Sequence, residues 1–236
     1  MSRRADDNLR SDRTYMEARM TVESPRLSAP RNIRFISWED RITQRSFIRI
    51  REPAKDSGTG FLKLHPNLWM YVPRVERTMR VPPSMMLQSW MGSDFTNDDL
   101  VRESSEVEDY DHNLLGIDPA LSVAGVPGGT RRALVLEYIP HEEAAVVWGK
   151  IIAWIDIETY APLRQEFYDE DGTKLRELVF SKHKQDGERY VPRRWTLTPL
   201  DKKGHATSIE LLEMRFDVEL DESVFTKRHL QKARER

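Results

Sequence analysis

The chain has 236 residues, of which 39% are hydrophobic and 32% are charged, and its formal net charge is -2. This composition is typical of a globular protein, and the length suits one large all-β or α+β domain, or at most two small domains. The near-neutral charge gives no indication of a nucleic-acid partner, and the absence of cysteine excludes disulfides, thiolate nucleophiles, Cys-ligated zinc and a cysteine-linked lipid anchor in this form of the chain.

The most apolar stretch is too short and too interrupted to cross a membrane. It runs from residue 144 to residue 157 and contains Gly149, Lys150 and Asp156, whereas a membrane span needs about 20 apolar residues. The first residues contain no apolar segment of the kind found in a signal peptide. The sequence alone therefore leaves two locations open, the cytoplasm or an exported form from which the signal has been removed.

The chain begins with a short helical pattern at about residues 4–12, and an alternation with period 2 then continues over a β core at about residues 13–220. Such alternation predicts antiparallel strands with one apolar face and one charged face. We expect about ten strands. The apolar rows are Met16, Ala18, Met20 and Val22; Ile48 and Ile50; Met79 and Val81; Leu134, Leu136 and Tyr138; Ile151, Ala153, Ile155 and Ile157; Trp195 and Leu197; and Leu212, Met214, Phe216 and Val218.

Turn residues separate these rows at the spacing of a meander, and helical pattern is sparse. A second helical segment is expected from Ser84 to about Arg102, the stretch Asp118–Thr130 is interpreted as a surface loop, and a basic tail occupies about residues 226–236. Because a large open sheet curls, splits or closes, we predict a mainly β (α+β) fold. Its curved antiparallel sheet forms an unclosed β-barrel within a single domain of residues 1–236.

No arrangement of residues typical of an enzyme is found. The sequence contains no metalloprotease, nucleophile-elbow or phosphate-loop motif. The run Ser57-Gly58-Thr59-Gly60 is interpreted as a hairpin or bulge, since it lacks the third glycine of a dinucleotide site. The run His141-Glu142-Glu143 is interpreted as a solvated loop edge, because three adjacent residues do not converge on one ion. We therefore expect no catalytic residues, no metal and no cofactor.

A cluster of acidic residues consists of Asp94, Asp98, Asp99 and Glu103. Carboxylates suit calcium, but the spacing is not that of an EF-hand. The last three also suit the first turn of a helix that starts near Thr96 or Asn97. Helix capping is the preferred interpretation, and a metal site is the alternative.

The most unusual segment runs from Met79 to Phe95 and holds four of the nine methionines. Methionine is flexible and is frequent on surfaces that fit variable apolar partners. One interpretation is a helix that packs on the sheet, and the other is an adaptable lining or lid for an acyl chain. The predicted ligand-binding residues of this apolar cavity are Met85, Met86, Leu87, Trp90, Met91 and Phe95, together with Met16, Met20, Leu134, Leu136, Ile151 and Ile155 on the strands.

The basic tail contains Lys227, Arg228, Lys232, Arg234 and Arg236. A run of this kind is usually solvated, and a membrane-surface or nucleic-acid role is the alternative.

Several longer runs of sequence are more specific. They are Trp90-Met91-Gly92-Ser93-Asp94-Phe95-Thr96-Asn97-Asp98-Asp99-Leu100, Gly58-Thr59-Gly60-Phe61-Leu62-Lys63, Leu68-Trp69-Met70-Tyr71-Val72-Pro73, Val147-Trp148-Gly149-Lys150-Ile151 and Gln165-Glu166-Phe167-Tyr168-Asp169-Glu170-Asp171-Gly172. Together they resemble the outer-membrane lipoprotein-sorting protein family, a branch of the LolA-like superfamily. The resemblance extends from about residue 13 to residue 230.

The resemblance implies an unclosed, strongly curved antiparallel β-barrel with helices on its concave side, and a periplasmic location after removal of a signal peptide. Superfamily members carry lipoprotein acyl chains, bind lipids or sense envelope stress, and this branch is associated with RND/MMPL-type membrane transporters. The superfamily arginine that controls lipoprotein release has no counterpart that a motif identifies here, so we assign no residue to that role.

Two hypotheses follow. The first is a non-enzymatic periplasmic carrier or chaperone that binds a lipid or a lipoprotein acyl chain in a hydrophobic cavity. The second is a non-enzymatic partner of an RND/MMPL-type transporter without a ligand of its own. Burial of a 14-carbon chain would contribute about 11 kcal/mol of binding free energy before ordering costs. Binding of this kind needs no catalytic group.

Overall fold

The computed structural model describes residues 1–101, 106–123, 129–144 and 146–232. The chain divides into two compact units. Unit 1 comprises Met1–Leu9, Glu23–Ser28 and Arg102–Ser208, and unit 2 comprises Arg10–Val22, Ala29–Val101 and Ile209–Arg236.

Within the described part of the chain, thirteen strands form one antiparallel sheet in the order β6-β5-β4-β3-β2-β1-β13-β12-β11-β10-β9-β8-β7. The sheet is therefore open, with β6 and β7 as its edge strands. The strands are β1 (Arg13–Glu23), β2 (Arg31–Asp40), β3 (Arg45–Glu52), β4 (Gly60–Leu64), β5 (Asn67–Val72), β6 (Arg77–Val81), β7 (Tyr110–Ser122), β8 (Thr130–Pro140), β9 (Lys150–Asp156), β10 (Pro162–Tyr168), β11 (Lys174–Asp186), β12 (Arg189–Pro199) and β13 (Ala206–Phe216).

The described helices are few and short. The α-helices are α1 (Ser2–Asp7), α2 (Asn97–Val101) and α3 (Lys227–Gln231), and single 3-10 turns lie at Pro73–Val75, Pro83–Met85, Trp90–Gly92 and Glu222–Phe225. None of the helices in the described ranges is long and apolar enough to cross a membrane. The mainly β fold class, with an antiparallel sheet that is not closed, is confirmed.

Unit 1 is built on β7 to β12, and one face of these strands carries its main apolar cluster. Strand pairing places Leu136 opposite Ala153 and Tyr138 opposite Ile151, and directly opposed residues point to the same face of a sheet. Helix α1 packs Ala5 against this cluster. The period-2 pattern of β8 and β9 thus produces a continuous apolar surface that α1 partly covers.

Unit 2 is built on β1 to β6, and its C-terminal helix α3 covers an apolar cluster. Leu230 of α3 and Phe225 pack against Phe47 and Leu62. Arg49, which is 3% exposed, donates from its guanidinium to the carbonyl oxygens of Gly58 at 2.7 Å, Leu230 at 2.9 Å and His229 at 2.7 Å. A buried cation therefore binds the last carbonyls of α3, where a helix dipole is negative.

Three details of the sequence prediction are corrected. The described residues form thirteen strands instead of about ten. The predicted loop Asp118–Thr130 belongs in its first part to β7 and at its last residue to β8, and residues 124–128 lie outside the described residues. The sequence pattern did not predict β7. This edge strand contains Gly116 and Pro119, which interrupt the alternation of apolar and polar residues at two register shifts. The single-domain assignment stays a prediction.

The predicted helix from Ser84 to Arg102 is also wrong as a continuous element. Two 3-10 turns and α2 replace it. Met91 and Gly92 adopt positive φ angles of 51° and 71°, which a continuous right-handed helix does not allow. The backbone then returns on itself through a bridge between Ser89 and Thr96.

Candidate functional site

The strand residues predicted to line a cavity are brought together in unit 1. Leu134, Leu136, Ile151 and Ile155 are all buried. Leu134 lies opposite Ile155, and Leu136 lies two residues further along the same face. Their common face is the apolar surface over which α1 lies. Their role in ligand binding stays a prediction.

The other predicted residues lie in unit 2. Met20 is fully buried and Met16 is half-buried, on the same face of β1. In the methionine-rich segment, Trp90 and Phe95 are buried, Met86 and Met91 are half-buried, and Met85 and Leu87 are exposed. Only part of this segment is therefore available to a ligand without a rearrangement.

Trp90 anchors the methionine-rich segment in the interior of unit 2. Its ring packs edge-on against Phe35 with centroids 5.4 Å apart and, tilted, against Phe61 at 5.5 Å. Its backbone N–H donates to the carbonyl of Phe95 at 2.8 Å, and the Ser93 hydroxyl donates to the carbonyl of Trp90 at 2.7 Å. A tight loop, not a helix, thus fixes this indole.

Unit 1 contains a cleft between α1 and the apolar face of β8 to β10. Its empty volume is ≈ 370 Å³ with open solvent included. The enclosed space is therefore much smaller than that of a typical ligand pocket, which spans about 300–1,000 Å³. The apolar lining includes Ala5 and Leu9 on one side and Tyr138, Ala153 and Ile155 on the other.

Several contacts hold helix α1 against unit 1. Arg189 donates to the Asp7 carbonyl, and the Arg4 guanidinium lies 4.0 Å from the centroid of the Tyr160 ring. The Asn8 side chain donates to the Thr159 carbonyl at 3.1 Å and accepts from the Tyr190 N–H at 2.7 Å. The helix has six residues, and no side chain caps its first turn. An isolated helix of this length is unstable in water, so α1 depends on these contacts, on Asn8 and on the packing of Ala5 against the sheet.

One end of the cleft is polar and acidic. Glu106 accepts a hydrogen bond of 2.7 Å from the Gln165 side chain, and Asp6 of α1 also lines the cleft. Burial raises the pKa of the Tyr138 phenol, and the nearby charge of Glu106 raises it further. The phenol is therefore a neutral hydrogen-bond donor at physiological pH. The cleft combines an apolar floor with a few polar groups at one end, the usual composition of a small-molecule site.

His183 and Pro162 lie at the edge of this region. The His183 Nε2 donates to the Pro162 carbonyl at 2.8 Å. Burial lowers the pKa of this imidazole, and the hydrogen bond to Pro162 and the charge of Asp156 only partly oppose that effect. His183 is thus a neutral, structural side chain.

A second buried carboxylate lies on the opposite face of β10. Glu166 accepts hydrogen bonds of 2.6 Å from Lys174 and 2.6 Å from the Tyr168 hydroxyl. Burial alone would raise the pKa of Glu166, but these hydrogen bonds and the charge of Arg164 outweigh it and hold the pKa below its usual value. Burial, followed by the hydrogen bond to Glu166, raises the pKa of Tyr168 to about 12. Arg164, which pairs with Glu166 in this network, also lines the cleft.

The acidic cluster caps a helix. Asp99 accepts from the backbone N–H of Thr96 at 2.8 Å, and the Thr96 hydroxyl accepts from the N–H of Asp99 at 3.1 Å. This reciprocal pattern is a capping box, and it confirms the capping interpretation for a helix that starts at Asn97. Glu103, like Arg234 and Arg236 of the tail, lies outside the described residues. No group of three His, Cys, Asp or Glu in the described ranges could hold a metal ion.

Sequence reasoning did not identify Leu9, Glu106 and Gln165 as cleft residues. Glu106 and Gln165 are 59 positions apart in the sequence, and the run that begins with Gln165 gave no indication of a cleft. The signals that point to the cleft are the apolar rows of β8, which includes Tyr138, and of β9, which includes Ala153 and Ile155.

Comparisons with known proteins agree with this architecture. The family model that matches has the description "Uncharacterized protein" and covers residues 43–232. No curated protein matches the chain. A solved structure described as a putative outer membrane lipoprotein-sorting protein domain from Vibrio parahaemolyticus is 26% identical, with a TM-score of 0.79, and the match covers 98% of this chain and 97% of that one.

Two further solved structures share the fold. A DUF1329 family protein from Desulfovibrio piger has a TM-score of 0.82 at 23% identity and is matched over 97% of this chain and 95% of its own. A LolA superfamily protein from Nitrosomonas europaea has a TM-score of 0.76 at 21% identity, with 96% of each chain covered. The chain belongs to the family described as "Uncharacterized protein", and these solved structures confirm its resemblance in fold to the outer-membrane lipoprotein-sorting and LolA-like proteins.

Proposed function

We propose that this protein is a periplasmic carrier or chaperone that binds the acyl chain of a lipid or lipoprotein in the cleft beneath α1. The observation that carries the proposal is the apolar face of β8 to β10, which the short helix α1 partly covers. Similarity to the putative outer membrane lipoprotein-sorting protein domain supports a carrier-type role. No catalytic group is required, because burial of acyl carbons supplies the binding free energy at about 0.8 kcal/mol per CH₂.

The cleft has an asymmetry that suits an amphiphile. The apolar chain would lie against Ala153 and Ile155, and a polar group would meet Glu106 and Gln165 at the other end. A longer chain requires more room than the cleft now offers. Displacement of α1 would supply it, since the helix buries only the small side chain of Ala5 in the apolar cluster.

Displacement of a fluorescent fatty acid tests this function. Leu9→Gln replaces a half-exposed apolar side chain of the lining with a polar one. We expect it to weaken binding about fivefold to tenfold, because burial of half of a leucine side chain contributes about 1 kcal/mol of binding free energy. The thermal midpoint should change little. Asn8→Ala removes two of the hydrogen bonds that hold α1, and we expect it to speed association of the probe. The matched control is Asn113→Ala, at an exposed asparagine on β7.

The outcomes separate the alternatives. Absence of probe binding by the wild-type protein, or equal binding by wild type and Leu9→Gln, would refute the cleft as the site. Native mass spectrometry of freshly purified protein provides an independent measurement, since a bound lipid adds a defined mass.

The second candidate is a partner of an RND/MMPL-type membrane transporter. It is favoured by the edge strand β7, where Leu114, Leu115 and Ile117 are about half exposed, because an apolar edge strand is a template for pairing with another chain. A Leu114→Ser/Leu115→Ser variant that retains probe affinity but loses co-purification with such a transporter would support this candidate, and retention of both would argue against it.

A further inference from the structure

A second surface, in unit 2, combines exposed apolar side chains with unpaired cations. It lies along the edge strand β6 and the turns on either side of it. Val75 is 56% exposed, Met79 is 41% exposed and Leu87 is 52% exposed, and Met85 is exposed as well. Large apolar side chains that are exposed together in one short segment mark an interaction surface more often than chance.

The same segment carries three arginines. Arg74, Arg77 and Arg80 are all exposed. Among the described residues, no carboxylate forms an ion pair with any of them. Glu76 is the one acidic residue between Arg74 and Leu87. The surface is therefore strongly positive although the whole chain has a net charge of -2.

Helix α3 adds further positive charge beside β6. The Gln231 side chain donates to the Thr78 hydroxyl at 3.2 Å, and the Lys227 ammonium lies 3.4 Å from the centroid of the Trp69 ring. Trp69 pairs with Arg80 across β5 and β6, so Lys227 and Arg80 share a face of the sheet. Arg228 and Lys232 of the same C-terminal segment are exposed as well.

We define the β6 surface as Arg74, Val75, Arg77, Met79, Arg80, Met85 and Leu87 with Lys227, Arg228 and Lys232. It wraps around the sheet edge, because Arg77 and Met79 lie on the face opposite to that of Arg80 and Thr78. Glu76, which is exposed between Val75 and Arg77, is the one carboxylate within this stretch of the sequence, and further carboxylates lie on α2. Asp98 and Asp99 are half-buried there, and Asp99 is engaged with Thr96.

We propose that the β6 surface docks this protein on a membrane that contains anionic phospholipid. The cations match the negative surface potential of such a membrane, where each Lys or Arg near the surface contributes to binding. The aliphatic side chains beside them can enter the boundary between headgroups and acyl chains, as on interfacial membrane-binding segments. A nucleic acid or an acidic polypeptide would pair with the cations but would leave the exposed aliphatic side chains without a partner.

This inference goes beyond the proposed carrier function and does not depend on the cleft of unit 1. Membrane docking would bring the protein to the compartment boundary at which lipid is exchanged. It would persist in a variant whose cleft no longer binds the fatty-acid probe, such as Leu9→Gln, so the two proposals can fail separately.

The test is co-sedimentation of the full chain with lipid vesicles. One set contains phosphatidylcholine alone and the other an equal mixture of phosphatidylcholine and phosphatidylglycerol. We expect binding to the anionic vesicles that weakens at high salt. We expect Arg77→Gln/Arg80→Gln to lower the partition coefficient about 30-fold, which corresponds to about 2 kcal/mol for two cations. Met85→Ser/Leu87→Ser should weaken binding at every salt concentration.

Matched controls exist on the same chain. Lys202→Gln/Lys203→Gln removes two exposed lysines from a turn of unit 1, and Leu114→Ser/Leu115→Ser removes two exposed leucines from β7. Neither should change vesicle binding, and all four variants should keep the wild-type thermal midpoint because the positions are exposed.

Three results would overturn the proposal. They are absence of binding to anionic vesicles, equal binding to both vesicle types, and an equal loss in the control variants. If the protein does not bind vesicles but is retained on immobilised polyglutamate, and Arg77→Gln/Arg80→Gln abolishes that retention, the β6 surface binds an acidic polypeptide instead.

Discussion

Replacement of Trp90 by alanine separates two interpretations of the methionine-rich segment. Trp90 is 0% exposed and packs on Phe35 and Phe61, which are themselves buried. Truncation of a fully buried tryptophan costs about 3–5 kcal/mol of unfolding free energy. For a chain of this size, we expect the thermal midpoint to fall by about 6–20 °C. Because the cleft lies in unit 1 and Trp90 in unit 2, the affinity for the fatty-acid probe should not change.

Trp90→Phe refines the measurement. Among the described residues no group accepts a hydrogen bond from the Trp90 indole N–H, although this N–H is buried, and an unsatisfied buried donor costs about 1–3 kcal/mol. Phenylalanine removes that penalty together with part of the ring area, so it should destabilise much less than alanine does. Unfolding in urea, followed by circular dichroism, gives both values, and Leu87→Ala at an exposed neighbour should stay within about 0.5 kcal/mol of wild type. A Trp90→Ala variant of normal stability with a tenfold loss of probe affinity would refute this reasoning and identify the segment as a lid.

Two other perturbations test what holds each unit together. Arg49→Met should lower the unfolding free energy by about 3 kcal/mol or more, since three carbonyl groups lose a charged donor, and hydrogen exchange of the α3 amides should accelerate, whereas exposed Arg19→Met should leave both unchanged. Glu166→Gln should reduce the dependence of the unfolding free energy on pH in the acid range. The folded pKa of Glu166 is depressed, so its contribution is complete above its unfolded pKa of about 4.3 and is lost as the pH falls through the lower folded value. An unchanged acid limb would show that Lys174 and Tyr168 do not stabilise the carboxylate.

The strand residues of unit 1 could be predicted from the sequence because one face of β8 and β9 is buried and the other is not. Under that condition the apolar residues recur with period 2, and Leu134, Leu136, Ile151 and Ile155 lie together on one face as expected. The same rule fails on β3, where Phe47, Ile48 and Arg49 are all buried. Both faces of that strand are covered, so burial there does not follow alternation.

A shift of one residue in a strand also defeats the pattern. On β13 the predicted row begins with Leu212, yet Leu212 is 40% exposed whereas Ile209 and Leu211 are buried. The burial parity changes between Leu211 and Met214, and no property of the residue types marks that position. The cleft could not be predicted from the sequence for a related reason. Leu9, Glu106 and Gln165 are far apart in the sequence and come together only in the tertiary fold.

The two helices that cover apolar surface differ in how firmly each is held within its own unit. Helix α3 inserts Leu230 and has its carbonyl groups bound by buried Arg49. Helix α1 inserts only Ala5 into its apolar cluster, and it is held by the hydrogen bonds of Asn8 and by the hydrogen bond from Arg189 to the Asp7 carbonyl. Leucine exceeds alanine by three carbons, which at about 0.8 kcal/mol per carbon is about 2.4 kcal/mol of burial. Under the proposed carrier function, α1 is therefore the helix that we expect an acyl chain to displace, because it buries less apolar surface than α3 does.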